Sequence, residues 1–215
     1  CVAPDYLLVE KEVKDQLLTY MKQYIRDFYY TAEGCLSDDF PQIINQKHWA
    51  RLTALLEDGT IFCGGAADAQ TRKIEPTILV DVPLDSAVMQ EEIFGPVLPV
   101  ITFSDLSEAI GWINSKPKPL ALYFFSTDRK RIKTVLSHTS SGGGCINDTI
   151  MHVSSDKLPF GGVGNSGMGI YHGKYSFDTF SNIRSVLHKS PKWEINLKYP
   201  PHADNKISRL KKLLH

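Results

Sequence analysis

The chain has 215 residues, and its 24 Lys and Arg balance its 24 Asp and Glu, so no net field selects nucleic acid or an acidic partner. Its apolar and charged fractions, 42% and 22%, are those of a globular protein long enough for one large domain or two small ones. Cys1, Cys35, Cys63 and Cys145 form no CxxC pair; this fits neither a zinc ribbon nor a disulfide scaffold, so no metal site is expected and reduced thiols in a cytoplasmic setting are the simpler reading.

YLLVE at the start reads as a short buried strand. In the next segment, KEVKDQLLTYMKQYIRDFYY, Val13, Leu17, Met21, Tyr24 and Phe28 recur at spacings of three or four, predicting an amphipathic helix with those residues as its inner stripe. TAEGCLSDDFP ends it. Asn45 is placed to cap a second helix, with Trp49, Leu52, Leu55 and Leu56 facing inward and Gly59 at its end. TIFCGG and ILVDV read as strands joined by a polar loop, and VLPVITF as a strand buried on both faces.

SDLSEAIGWINSK opens with capping residues and continues as a helix until KPKP stops it. LALYFFS predicts another buried strand, DRKRIKTVLSH a helix, and the stretch after SSGGGCIND an irregular glycine-rich segment. YHGKYSFDTFSNIR reads as helical and SVLHK as a last strand. Buried strands alternating with amphipathic helices predict an α/β fold with a largely parallel sheet flanked by helices. There is no internal repeat. No apolar run approaches the ~18 residues that span a bilayer. No signal peptide opens the chain, and its start without methionine reads as a fragment or a processed product.

Three stretches could carry chemistry. Cys1 in CVAPD is either an inert small hydrophobe or a nucleophile, since unpaired cysteines are commonly core residues. His48, His138, His152 and His172 could partner a thiol by composition, but none has a local signature and a surface or structural role is the default. QEEIFGPV sets two adjacent carboxylates before an aromatic residue and a Gly-Pro turn. Adjacent side chains do not share a face, so Glu91 and Glu92 are not a glycosidase-type pair. One of them could be solvated while the other accepts hydrogen bonds from a hydroxylated ligand beside Phe94. LPFGGVGNSGMG holds five glycines between Gly161 and Gly169, reading either as a phosphate cradle or as a loop crossing a packed interface. Without a strand before it and a helix after it, a dinucleotide-binding turn is a poor reading.

In this order the stretches resemble the C-terminal half of an aldehyde dehydrogenase. CVAPD resembles the segment that begins at the family's catalytic cysteine, and its APD points to the class 3 branch. QEEIFGPV resembles the motif whose second glutamate holds the nicotinamide ribose. SSGGGCIND and LPFGGVGNSGMGIYHGK are similar to two further motifs, and KYPP at 198–201 resembles the closing RYPP of class 3. The likeness runs from Cys1 to about Pro201.

The resemblance implies oxidation of aldehydes to carboxylic acids with NAD or NADP. Cys1 would be the catalytic nucleophile, forming a thiohemiacetal and then a thioester that water opens. Glu92 would hold the ribose hydroxyls, Phe94 would border the nicotinamide, and Phe160 would line the substrate pocket. It implies a catalytic domain over 1–183, an oligomerisation strand and extended segment over 184–202 that serves a homodimer, and a basic amphipathic tail over 203–215. In that tail Ile207, Leu210 and Leu213 alternate with Lys206, Arg209, Lys211 and Lys212, so peripheral membrane contact competes with a solvated helix. The family's cofactor domain, general-base glutamate and oxyanion amide all precede the cysteine. The 215 residues alone are therefore expected to lack useful activity, since one missing oxyanion donor already removes about a hundred- to a thousandfold. Two rival readings are a non-catalytic association module and a phosphate-binding regulatory domain built on the glycine run.

Overall fold

The computed structural model describes residues 1–194, 197, 199–201 and 204–213, in two compact units, Cys1–Thr179 and Phe180–His215. Lys198 of KYPP and residues 203, 214 and 215 of the expected tail lie outside the described residues.

The first unit opens with β1 (Leu7–Glu10) and α1 (Lys14–Tyr29). Leu18 is the fully buried residue of α1, flanked by half-buried Leu17, Met21 and Ile25. This corrects the expected stripe: Tyr24 and Phe28 are 54% and 70% exposed and stack on each other at 5.5 Å. Residues three and four apart support two neighbouring stripes on this helix, and the sheet takes the aliphatic one, which packs more closely than tyrosine and phenylalanine would.

α2 (Gln46–Ala54) begins where expected, with Asn45 Oδ1 accepting from the His48 amide at 2.9 Å, and tightens into a 3-10 turn over Leu55–Asp58 before Gly59. β2 (Thr60–Cys63) follows. The polar loop after it folds on itself as a small hairpin of β3 (Ala67–Asp68) and β4 (Lys73–Ile74), too short to register as sequence periodicity. β5 (Thr77–Val80) and β6 (Val97–Phe103) complete a four-stranded sheet in the order β1-β6-β5-β2. β6 runs parallel to β1 and β5, as predicted, and β2 is an antiparallel edge strand.

Alternation along β5 divides the core between the faces of the sheet. Ile78 and Val80 pack with Leu18, Val9 and Val100; Leu79 packs with Leu52, Ile74, Ile93 and Val97. Thus α1 covers one face and α2 the other.

α3 (Leu106–Ser115) is capped by Asp105 and α4 (Arg129–His138) by Asp128. β7 (Ala121–Phe124) is half-buried, not buried: it pairs in parallel with β8 (Gly143–Ile146) as a separate two-stranded sheet. β8 lies inside SSGGGCIND, where three consecutive glycines hide its strand character. Gly144 fits because its backbone presses on β7, where a Cβ would lie 2.0 Å from the Leu122 carbonyl oxygen. α5 (Gly173–Thr179) is shorter than the helix read from YHGKYSFDTFSNIR.

In the second unit SVLHK forms no strand, which corrects the expectation of one. A strand needs a ladder partner, and Val186 and Leu187 remain 75% and 92% exposed. α6 (Asp204–Leu213) matches the expected basic helix, with Lys211 and Lys212 in its last turn, where the helix dipole favours cations. Among the described residues no helix is long and apolar enough to cross a membrane.

Candidate active site

The loop between β5 and β6 is held from behind and displays two side chains in front. Ile93 is buried at 1% exposure. Arg51 of α2 pairs with Glu91 at 3.3 Å and also donates to the Ile93 carbonyl. Gly95 passes so close to Leu52 that a Cβ there would lie 2.6 Å from Leu52 Cδ2. Phe94 takes a left-handed φ of 53°, and its ring stays 71% exposed. The adjacent carboxylates part ways, as the sequence predicts. Glu91 meets Arg51, whereas Glu92 Oε1 lies 3.3 Å from the nitrogen of Cys1.

Two bonds fix the CVAPD segment against this loop and against β7. Asp5 Oδ1 accepts from the Ile93 amide at 2.8 Å, and Tyr123 donates to the Val2 carbonyl at 2.6 Å. Burial pushes the Asp5 carboxyl above its ordinary range; the Ile93 amide offsets part of that, and the charge of Glu92 adds to it. The contact between Cys1 and Glu92 is exposed on both sides and contributes little energy by itself. Its value is positional.

Phe160 is reached through a run of rings. Tyr123 meets His152 at 5.8 Å between centroids, His152 meets Phe160 at 6.1 Å, and Phe160 stacks on His172 at 5.8 Å with its edge toward Tyr171 at 5.7 Å. Phe160 and Tyr171 also pair as an antiparallel bridge. Cys1, Glu92 and Phe94 therefore lie together, while Phe160 connects to them through Tyr123 and His152. Four of the six non-glycine residues with left-handed φ among the described residues are here: Phe94, Asn147, Ile150 and His172. Such backbone persists only where its surroundings hold it in place.

Sequence reasoning missed Asp5 and Tyr123 as parts of this assembly, and it named His152 and His172 only as possible thiol partners without a local signature. Asp5 had a signal, lying in the CVAPD stretch itself; Tyr123 had none. The glycine run is a close crossing of backbones: a Cβ on Gly162 would lie 2.1 Å from the Ser166 carbonyl oxygen, and one on Gly161 equally near that of Gly169. Among the described residues no group of three or more His, Cys, Asp and Glu is placed to hold a metal ion.

Glu92 is a half-exposed carboxylate beside the exposed ring of Phe94, so the loop can accept hydrogen bonds from a hydroxylated ligand and offer it a flat apolar surface. Comparison with known proteins adds to this geometry. The sequence profile of the aldehyde dehydrogenase family matches residues 1–186. Aldehyde dehydrogenase family 3 member A2 of Rattus norvegicus is 52% identical over 210 residues, 97% of this chain and 43% of that protein. The dimeric NADP-preferring aldehyde dehydrogenase of Canis lupus familiaris is 50% identical over 203 residues, 94% of this chain and 45% of its own length. A solved structure described as the substrate-bound state of Staphylococcus aureus AldH superposes with a TM-score of 0.87 at 49% identity, covering all of this chain and 47% of that one. The chain spans less than half the length of the relatives it matches.

Proposed function

The chain belongs to the aldehyde dehydrogenase family, in its class 3 branch, and from that premise we propose that it carries the nucleophile and part of the cofactor site of an enzyme that oxidises aldehydes to carboxylic acids. The observation that supports this most is the 2.8 Å bond from the Ile93 amide to Asp5 Oδ1, which draws CVAPD and QEEIFGPV together. The thiolate of Cys1 adds to the aldehyde carbon, a C–S bond forms, and the carbonyl π pair moves to oxygen as a thiohemiacetal. Glu92 accepts hydrogen bonds from ribose hydroxyls of NAD or NADP, and Phe94 limits the travel of the ring. Bound there, the nicotinamide supplies the hydride acceptor. Asp5 and Tyr123 hold the backbone that follows the thiol so that its carbon partner is met in one orientation. Phe160 contributes an apolar wall for the aldehyde.

Iodoacetamide at neutral pH tests the assignment: Cys1 is carboxamidomethylated before Cys35, Cys63 and Cys145. Uniformly slow labelling of all four thiols would reject it. The 215-residue stretch assayed by itself forms no NADH from aldehydes at a useful rate, because it spans less than half the length of its relatives. Robust turnover by this stretch would refute that.

Phe180, Ile183, Val186 and Leu187 are 75–92% exposed in the second unit, which favours an additional role in self-association. SVLHK adds as a strand to the sheet edge of a second copy, giving a homodimer. Light scattering that reports a monomer at micromolar concentration would reject this. α6, with half-buried Lys206 and exposed Ile207, Arg209, Lys211 and Lys212, is the surface for peripheral contact with anionic lipid. Sedimentation with anionic liposomes that is unchanged by removing residues 203–215 would dispose of that contact.

A further inference from the structure

Cys145 stands on β8 with its Sγ 3.5 Å from Nδ1 of His152. The imidazole is 6% exposed, and its Nε2 has no hydrogen-bond partner. Nothing at Nε2 therefore opposes the tautomer that presents the Nδ1 lone pair to the thiol. Burial also pushes the imidazole below its ordinary pKa, which keeps it the neutral base at neutral pH.

The backbone around this pair is shaped to it. A Cβ on Gly143 would lie 2.9 Å from His152 Cδ2, so the strand leaves the ring its space only because residue 143 has no side chain. His152 sits in a 3-10 turn (Met151–Val153) entered through Ile150, whose φ of 66° is a costly conformation for a β-branched residue. Tyr123, paired in register with Cys145 across the β7–β8 ladder, packs against the imidazole as well, with ring centroids 5.8 Å apart. Cys145 as a residue is only partly covered.

We propose that Cys145 and His152 form a second nucleophilic thiol, distinct from Cys1, that adds to α,β-unsaturated aldehydes. His152 Nδ1 takes the thiol proton as the sulfur pair forms a bond to the β carbon. The C=C π pair moves to the α carbon, which then takes the proton back. The net change is addition of S–H across the double bond, so no oxidant or reductant is needed. The choice of electrophile rests on the aldehyde chemistry proposed for Cys1; the reactivity of Cys145 does not, because the two thiols fall on different peptides and are scored separately.

Accessibility and base assistance give opposite rank orders, which makes the test decisive. Cys35 is exposed, and no hydrogen bond from an imidazole reaches it among the described residues; Cys145 is partly covered. The chain is treated with propenal, the adducts are fixed with borohydride, and each cysteine is quantified by peptide mass spectrometry over time. Cys145 is modified faster than Cys35 and Cys63, and His152→Gln slows Cys145 by about a hundredfold, the low end of what a positioned base contributes, while the Cys35 rate is unchanged. A Cys145 rate equal to or below that of Cys35 in the unsubstituted chain overturns the proposal, whether or not the His152 variant folds. An undiminished Cys145 rate in a folded His152→Gln chain overturns it as well. Labelling confined to Cys1 also rejects the second thiol while leaving the first intact.

Discussion

Tyr123 donates its hydroxyl to the Val2 carbonyl at 2.6 Å, joining the peptide after Cys1 to a strand 121 positions away. Burial raises this phenol above 10.0, so its contribution to stability is complete below that pH and is lost as pH rises through the raised value. Tyr123→Phe keeps the ring against His152 and removes only the donor. It destabilises the chain by about 1 kcal/mol in urea unfolding at neutral pH and slows alkylation of Cys1 by loosening its backbone. Unchanged stability and labelling would show that the bond positions nothing.

The bond from the Ile93 amide to Asp5 gives a contrasting expectation. Because the folded state holds the Asp5 proton more tightly than the unfolded chain does, this group's titration favours the fold most below 3.8. That advantage is lost as pH rises through the raised value. Asp5→Asn keeps an acceptor for Ile93 without the buried charge, so it matches or exceeds the parent in stability at neutral pH. Asp5→Ala leaves the amide without a partner and loses about 1–3 kcal/mol. Urea unfolding of the three chains decides the order, and an Asn variant weaker than the Ala variant contradicts it.

Tyr30 is the late-titrating phenol. Partial burial is the main cause, the bond to the Glu75 carboxylate adds to it, and together they push its ionisation up to about 12. Its contribution to stability is whole below 10.0 and disappears as pH rises through about 12. An alkaline absorbance titration shows a component near that value that is missing from Tyr30→Phe; identical curves would rule it out.

Three glycines separate crowding from conformational need. Gly162 has backbone where a Cβ would go, Gly169 has open space but a φ of 75°, and Gly111 in α3 has open space and ordinary helical φ. Gly162→Ala loses about 2–3 kcal/mol through overpacking, Gly169→Ala about 1 kcal/mol through its left-handed backbone, and Gly111→Ala gains about 0.5–1 kcal/mol. Thermal unfolding of the three variants reads the order directly.

Much of the fold was legible because periodicity and capping agreed. Asn45 and Asp105 cap where the sequence places them, DRKRIKTVLSH is helical as read, and VLPVITF is the central strand its unbroken apolar run implies. Two differences have one cause, that sequence patterns do not record which neighbour is at hand. Tyr24 and Phe28 satisfied the helical spacing but lost the sheet to Leu18, and SVLHK has β-like residues but forms no strand within a single chain. β8 was hidden because Gly142, Gly143 and Gly144 are there to admit a neighbouring carbonyl, a ring and a strand, none of which lies nearby in sequence. At the site, the loop residues Glu92 and Phe94 were readable as a motif. The partnership of Cys145 with His152 depends on a turn strained at Ile150 and could not be read from spacing.

The loop that carries Glu92 and Phe94 separates support from display. Ile93, Gly95 and the Arg51 bonds belong to the core side, and both displayed side chains face away from it. Side chains at positions 92 and 94 can therefore be changed, β-branched residues at the left-handed position 94 aside, while the melting temperature stays nearly fixed, so a library at those two sites would report on the outward face of the loop without first having to screen for survival of the fold.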